Sequence, residues 1–199
     1  MWIKVCGMTS TEAVEAALAA GADAIGFVFA PSVRRVTPER ARELAAPARG
    51  RVACVAVTQH PDLRLLEEIL AVFGPDLLQT DATDVAQWPP GAVRCPLLPV
   101  VRAGAALPRP LPERLLFEGP VSGTGATADW DRARELAAQS RLVLAGGLRP
   151  ANVAAAVERV RPYGVDVSSG VESRPGLKSP ALILEFVNAA RTASLELKS

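Results

Sequence analysis

The chain has 199 residues, of which 49% are hydrophobic, so it is long enough for one or two domains with a sizeable buried core. Its 22 Lys and Arg residues almost balance its 21 Asp and Glu residues. That balance argues against a general nucleic-acid-binding protein or one that binds anionic membranes, and the single histidine excludes a histidine-rich metal site.

Eight short apolar segments alternate with amphipathic or turn-rich stretches, and each of them is predicted as a strand. In chain order they are residues 2–6, 24–29, 51–57, 76–79, 96–101, 114–117, 141–145 and 165–168.

Helices are predicted after most of these strands. Thr9 or Ser10 can cap the first, which Gly21 ends, while Thr37 and Pro38 begin the second and Pro61 opens the third. The later helices are residues 83–88 (weak), 129–138, 150–160 and 179–190, and residues 103–112 hold little helix.

Strands that alternate with helices indicate a parallel sheet, and eight such units favour a closed barrel. The expected fold is therefore α/β, a single (β/α)₈ TIM barrel over residues 1–199. In such a barrel the first and last strands are neighbours, so groups that are distant in sequence can face one ligand.

The three cysteines include no CxxC pair, which makes a disulfide framework unfavourable and fits a reducing compartment. The longest apolar runs have the length of strands, and the N-terminus lacks a signal-peptide pattern. We therefore expect a cytoplasmic protein that binds neither a membrane nor nucleic acid.

Active sites of these barrels lie where the strands end at their carboxyl side. Cys6 ends the first strand beside Gly7, and Lys4 precedes it by two residues, so a nearby cation would favour the thiolate. The alternative is that Cys6 is a small buried hydrophobe, as expected for Cys54.

Two loops after the last two strands are candidate phosphate sites. Gly146, Gly147 and Asn152 follow the seventh strand, and Ser168, Ser169 and Gly170 follow the eighth. Neighbouring loops with accessible N–H groups and a helix N-terminus favour an anion, although the glycines alone also permit tight turns.

Charged residues near other strand ends are further candidates. Asp129, which follows the glycine-containing loop of residues 122–128, is either an acid delivered by a lid or a helix N-cap, and both roles are compatible. Arg34 and Arg35 suit a carboxylate. Asp166 is buried by pattern and needs a ligand or a Lys or Arg partner.

Two more charged side chains are not expected to touch a ligand. Glu172 is assigned a supporting role, and His60, beside a proline in a loop, is interpreted as a bystander.

Several of these segments resemble the phosphoribosylanthranilate isomerase family. The opening motif KVCGMT and the closing motif DVSSGVE are highly specific together. The resemblance runs nearly end to end, through residues 4–9, 21–29, 32–38, 123–130, 144–148 and 163–172 with Asn152.

The resemblance implies a cofactor-free and metal-free Amadori rearrangement in tryptophan biosynthesis. Its substrate is N-(5-phosphoribosyl)anthranilate and its product 1-(2-carboxyphenylamino)-1-deoxyribulose 5-phosphate. The enzyme is expected as a monomer or a homodimer.

The resemblance also implies residue roles. Asp129 becomes the general acid and Cys6 the general base. Among the substrate-binding residues, Arg34 would hold the anthranilate carboxylate and Asp166 would lie beside the amine, while the two loops would hold the phosphate. Lys4 is also expected to be a substrate-binding residue.

The chain departs from the family pattern after the fourth strand. The family usually has Gln-Leu-His-Gly-x-Glu there, whereas this chain has residues 79–84 as QTDATD.

Three alternatives to this function stay open. The first is a related histidine-pathway sugar-phosphate isomerase or a bifunctional one, and the second is a non-enzymatic phosphate-binding barrel. The third is that Lys4, Arg34 and Asp166 form a network that only stabilises the fold.

Overall fold

Eight parallel strands close into a barrel in chain order, which confirms the predicted α/β barrel. The computed structural model describes residues 1–89, 91, 93–120 and 128–197. The strands are β1 Trp2–Cys6, β2 Ala24–Val28, β3 Ala53–Val57, β4 Leu77–Asp81, β5 Leu97–Arg102, β6 Arg114–Glu118, β7 Arg141–Leu144 and β8 Gly164–Val167. The predicted loop of residues 122–127 lies outside the described residues.

The helices of the described chain mostly follow the strands that they connect. They are α1 Thr11–Ala20, α2 Pro38–Ala45, α3 Leu63–Glu68, α4 Ala82–Val85, α5 Trp130–Ala137, α6 Pro150–Val160 and α7 Pro180–Glu196. A π-helical segment, Ile69–Phe73, continues α3. No helix among the described residues is long and apolar enough to cross a membrane.

Local sequence explains where most helices begin and end. Ser10 caps α1 by accepting a hydrogen bond from Ala13 N at 3.2 Å, and Gly21 ends it with φ 81°. Thr37 caps α2 and Pro38 takes its first turn, as predicted. Pro61 was the wrong start for α3, because Asp62 caps that helix through Leu65 N.

Two apolar clusters fill the molecule. The larger packs the outer face of the sheet against the helices. The smaller contains strand residues that alternate with the outer ones and therefore lie inside the barrel: Ala24, Val55, Leu77, Leu98, Val100, Leu116, Val143 and Ala145. Charged and polar side chains continue this inner layer toward the carboxyl ends of the strands.

Many element bounds differ from the prediction by a few residues, and three differences among the strands are the most important. β4 runs on through Thr80 and Asp81. β3 begins only at Ala53, because residues 51 and 52 belong to a turn. An unpredicted hairpin of β9 Glu172–Arg174 and β10 Leu177–Lys178 follows β8. The first and third of these differences place charged side chains at the carboxyl face of the barrel.

Candidate active site

The pairing of β1 with β8 places Lys4 directly beside Asp166. Lys4 Nζ lies 2.8 Å from Asp166 Oδ1, and both side chains are buried. The expected partner of Asp166 is therefore Lys4. Burial opposes the charged form of Lys4, but Asp166 and the Cys6 sulfur outweigh it, so the pKa of Lys4 is raised.

Cys6 lies beside this ion pair at the end of β1, opposite Gly26 of β2. A Cβ atom at Gly26 would lie 2.9 Å from Cys6 Sγ and 3.0 Å from Lys4 Cε. The strand backbone at Gly26 has ordinary geometry, so the glycine is required for space and not for its conformational freedom. The missing side chain lets the thiol and the ammonium group share one wall of the barrel.

Burial raises the pKa of the Cys6 thiol above its usual value. Lys4 and Lys178 lower this pKa, and Asp166 raises it further. The predicted effect of a nearby cation is thus present, but desolvation outweighs it. In the ligand-free protein the thiol form of Cys6 is favoured.

Arg34 forms a two-pronged ion pair with Glu172 of the hairpin. Arg34 Nε lies 2.7 Å from Glu172 Oε1, and Arg34 Nη2 lies 2.8 Å from Oε2. The hypothesis of one network of Lys4, Arg34 and Asp166 is therefore wrong about Arg34. Lys4 pairs with Asp166, whereas Arg34 pairs with Glu172. Arg35, the other predicted arginine, is exposed.

Glu172 also holds Lys178, a residue that the sequence analysis did not identify. Lys178 Nζ donates to Glu172 Oε1 at 2.7 Å and to Ser168 O at 3.0 Å. Burial disfavours the charged carboxylate, yet the hydrogen bonds from Arg34, Lys178 and Gly176 N lower the pKa of Glu172 to about 2. The signal for Lys178 was missed because the hairpin itself was not predicted.

The loops after β7 and β8 lie against each other. Gly146 and Gly147 have φ of 89° and 63°, so both occupy the left-handed region. A Cβ atom at Gly170 would lie 1.9 Å from Leu148 O, which shows how closely the second loop approaches the first. Helix α6 begins at this point, so its N-terminus adds to a local environment that suits an anion.

Asn152 binds the backbone of the loop after β7. Its Oδ1 accepts from Arg149 N at 2.8 Å, and its Nδ2 donates to Gly147 O at 2.9 Å. The candidate substrate-binding residue Asn152 therefore fixes the shape of the loop through both ends of its amide.

Asp129 is exposed and is the N-cap of α5, as one of its two predicted roles required. Its Oδ1 accepts from Asp131 N and Arg132 N, each at 3.0 Å. The capping hydrogen bonds do not use its other oxygen, Oδ2, which could therefore contact a ligand. Both roles of Asp129 are thus geometrically compatible.

The altered segment after β4 forms a polar cluster that the sequence analysis missed. Asp81 pairs with Arg102 at the end of β5, and Arg102 Nη2 lies 3.2 Å from Glu118 Oε1 at the end of β6. His60 Nδ1 lies 2.7 Å from Asp84 Oδ1. The interpretation of His60 as a bystander stays a prediction, because this contact shows a partner for His60 and not a role in the reaction.

Comparisons with known proteins show to which family the chain belongs. A family model for N-(5'-phosphoribosyl)anthranilate isomerase matches residues 3–189. A protein of that name from Rhodopseudomonas palustris (strain BisB5) is 39% identical, over 96% of each chain.

Solved structures show the same likeness. The structure of TrpF from Jonesia denitrificans has a TM-score of 0.80 and 38% identity, with 98% of each chain covered. A phosphoribosyl anthranilate isomerase solved in complex with reduced 1-(o-carboxyphenylamino)-1-deoxyribulose 5-phosphate has a TM-score of 0.79 and 28% identity, covering 96% of this chain and 99% of its own. The chain described here therefore belongs to the N-(5'-phosphoribosyl)anthranilate isomerase family.

Proposed function

We propose that this single-domain chain converts N-(5-phosphoribosyl)anthranilate into 1-(2-carboxyphenylamino)-1-deoxyribulose 5-phosphate. The observation that carries the proposal is the buried Cys6 thiol beside the Lys4–Asp166 pair, next to two loops that suit an anion. Family membership supports the same reaction. The rearrangement moves protons within one molecule, so it consumes no electron donor or acceptor.

The phosphate anchors the substrate at one end of the site. Gly146, Gly147, Ser169 and Gly170 would present their backbone N–H groups to it, with the N-terminus of α6 behind them. At the other end, Glu172 occupies Nε and Nη2 of Arg34, so the anthranilate carboxylate would bind through Nη1. Two separated anchors hold the sugar between acid and base.

Asp129 would protonate the ring oxygen of the ribose, which opens the ring to a Schiff base. Cys6 would then remove the proton from sugar C2 as a thiolate, and the resulting enolamine tautomerises to the ketone. Lys4 and Lys178 favour the thiolate electrostatically, which counters the effect of burial. Asp166, held by Lys4, would lie beside the anthranilate nitrogen.

The direct test is an assay with substrate made in situ, following the loss of its fluorescence. Cys6→Ala and Asp129→Asn should each lower kcat by roughly 10²–10⁴-fold, the usual effect of removing one positioned acid or base. The control is Cys54→Ala, which removes a buried thiol from β3 and should retain kcat.

Each outcome of this assay is informative. Near-normal kcat in Cys6→Ala or Asp129→Asn would remove that residue from the mechanism. Binding of a reduced product analogue without turnover by the unmodified chain would contradict catalysis and favour a phosphate-binding barrel. Turnover of the histidine-pathway sugar phosphate, measured in parallel, would contradict the stated specificity.

A further inference from the structure

A cluster of side chains with metal-ligand chemistry lies at the rim of the barrel, at the end of β4 and in the segments after β3 and β4. One donor atom each from His60, Asp81 and Asp84 lies within 4.8 Å of the others. We propose that this cluster binds a divalent transition-metal ion such as Zn²⁺. His60 Nε2 and Asp81 Oδ2 would be the ligands, and the ion would join the two segments.

Asp84 fixes which nitrogen of His60 is available. Asp84 Oδ1 lies 2.7 Å from His60 Nδ1, and Asp84 Oδ2 accepts from His60 N and Thr80 Oγ1, each at 3.0 Å. A carboxylate facing Nδ1 favours the tautomer with the proton on Nδ1, which leaves a lone pair on Nε2. Histidines that bind metals are commonly held in this way by a carboxylate.

The gap between the two proposed ligands has the size of an ion site. His60 Nε2 lies 3.7 Å from Asp81 Oδ2, which is too far for a hydrogen bond. Two ligands that each lie about 2.0–2.2 Å from one Zn²⁺ ion are separated by a similar distance. The two atoms are therefore spaced for an ion between them.

The carboxylate of Asp81 is buried. Its side chain is 4% exposed, and Arg102 forms an ion pair with Oδ1. Within the described part of the chain, neither oxygen has a hydrogen-bond partner, and Oδ2 is the one that faces His60 Nε2. A buried carboxylate oxygen without a donor is unfavourable, and a cation at this position would satisfy it.

Charge and access also suit a divalent ion. Among the described residues at this cluster, Asp81, Asp84 and Glu118 are acidic, and Arg102 pairs with Asp81 and Glu118. The pairing of imidazole with carboxylate favours transition metals over Mg²⁺ and Ca²⁺. His60 borders a cleft of about 410 Å³, through which the ion can enter and water can complete its coordination.

The single histidine makes the proposal testable with one pair of signals. The full chain, labelled with ¹⁵N in His60 and kept reduced, would be titrated with Zn²⁺ and followed through the imidazole nitrogens. We expect the Nδ1–H tautomer before addition and a shift of Nε2 that saturates at one equivalent. Asp81→Asn should abolish the shift, whereas Asp62→Asn, a nearby acid outside the cluster, should retain it.

Thermal unfolding provides a second measurement that does not depend on Asp81→Asn being folded. Zn²⁺ should raise the Tm of the unmodified chain and of Asp62→Asn, but not that of His60→Gln, whose side chain is largely exposed. Zn²⁺ binding without a change at His60 Nε2 would place the ion at another site and overturn the proposal. An equal rise of Tm in His60→Gln would also overturn it.

Discussion

At the scale of single residues, the position of the candidate base, Cys6, depends on the lack of a side chain at Gly26. Cys6 and Lys4 occupy the space that any larger residue at position 26 would need. The chemistry of the site is therefore set partly from β2, a strand that contributes no reacting group.

Gly26→Ala should displace the thiol and lower kcat/KM by up to about 100-fold, because small displacements of reacting groups have large effects on rate. Gly164→Ala is the matched control, since its new Cβ would lie 2.5 Å from Trp2 O at the other end of the barrel. It should lower Tm without a selective loss of kcat/KM. Equal kinetic losses in the two variants would refute the spatial role of Gly26.

Glu172 links pH to stability through its hydrogen bonds. Its folded-state pKa of about 2 lies below the usual 4.5, so its contribution is present above pH 4.5 and is lost as the pH falls toward 2. Glu172→Gln should therefore show a smaller fall in Tm than the unmodified chain between these pH values. Parallel Tm curves for both proteins would show that Glu172 does not contribute to acid unfolding.

At the scale of elements, the loop after β7 and helix α6 are stabilised by one amide. Asn152 holds Arg149 N and Gly147 O, so it fixes the helix start and the loop together. Asn152→Ala should reduce stability by about 1 kcal/mol, as the loss of other caps does.

The same substitution should raise KM more than it lowers kcat, because we propose that the loop binds phosphate and takes no part in proton transfer. Steady-state kinetics and competitive inhibition by inorganic phosphate would measure the effect. Gln139→Ala, at an exposed position before β7 and thus at the opposite end of that strand from the loop, is a control. A loss confined to kcat would contradict the assigned role of Asn152.

Elements with strong local signals were predictable from the sequence. Ser10, Gly21 and Thr37 act within their own turns, and the structure uses them as predicted. The extension of β4 to Asp81 was not predictable in this way, because Asp81 has little intrinsic preference for a strand, although Thr80 favours one. Their strand geometry comes from pairing with β5, which is a tertiary effect.

At the scale of the whole molecule, α7 closes the ring of helices by packing against both α6 and α1. Its Arg191 ties this closure to the first half of the chain. Arg191 Nη2 donates to Asp23 Oδ2 at 2.6 Å and to Gly21 O at 3.0 Å, and Nη1 donates to Met1 O. Asp23 in turn accepts from Ile3 N of β1.

Arg191→Met should therefore lower stability by about 1–3 kcal/mol. For a chain of this size that corresponds to roughly 2–4 °C in Tm per kcal/mol. Arg42→Met, on the exposed face of α2, should leave Tm unchanged. An unchanged Tm in Arg191→Met would show that packing alone closes the ring.

The site as a whole was predictable only as far as barrel topology determines it. Closure brings Lys4 beside Asp166 and the two glycine loops beside each other, and both follow from strand order. The partner of Arg34 lies on the hairpin β9–β10 and that of His60 in the segment after β4, so both contacts depend on the tertiary fold. A long basic side chain can reach several acidic residues in the folded protein. The distance between two residues in the sequence does not show which of them form an ion pair.

The raised pKa of Cys6 also has a consequence for the lifetime of the protein. Oxidants and alkylating agents react with thiolates, and Cys6 is both 6% exposed and held mainly as a thiol. The residue proposed as the base is therefore protected from oxidation between turnovers. Damage by peroxide should begin elsewhere on the chain, so that turnover survives mild oxidative stress.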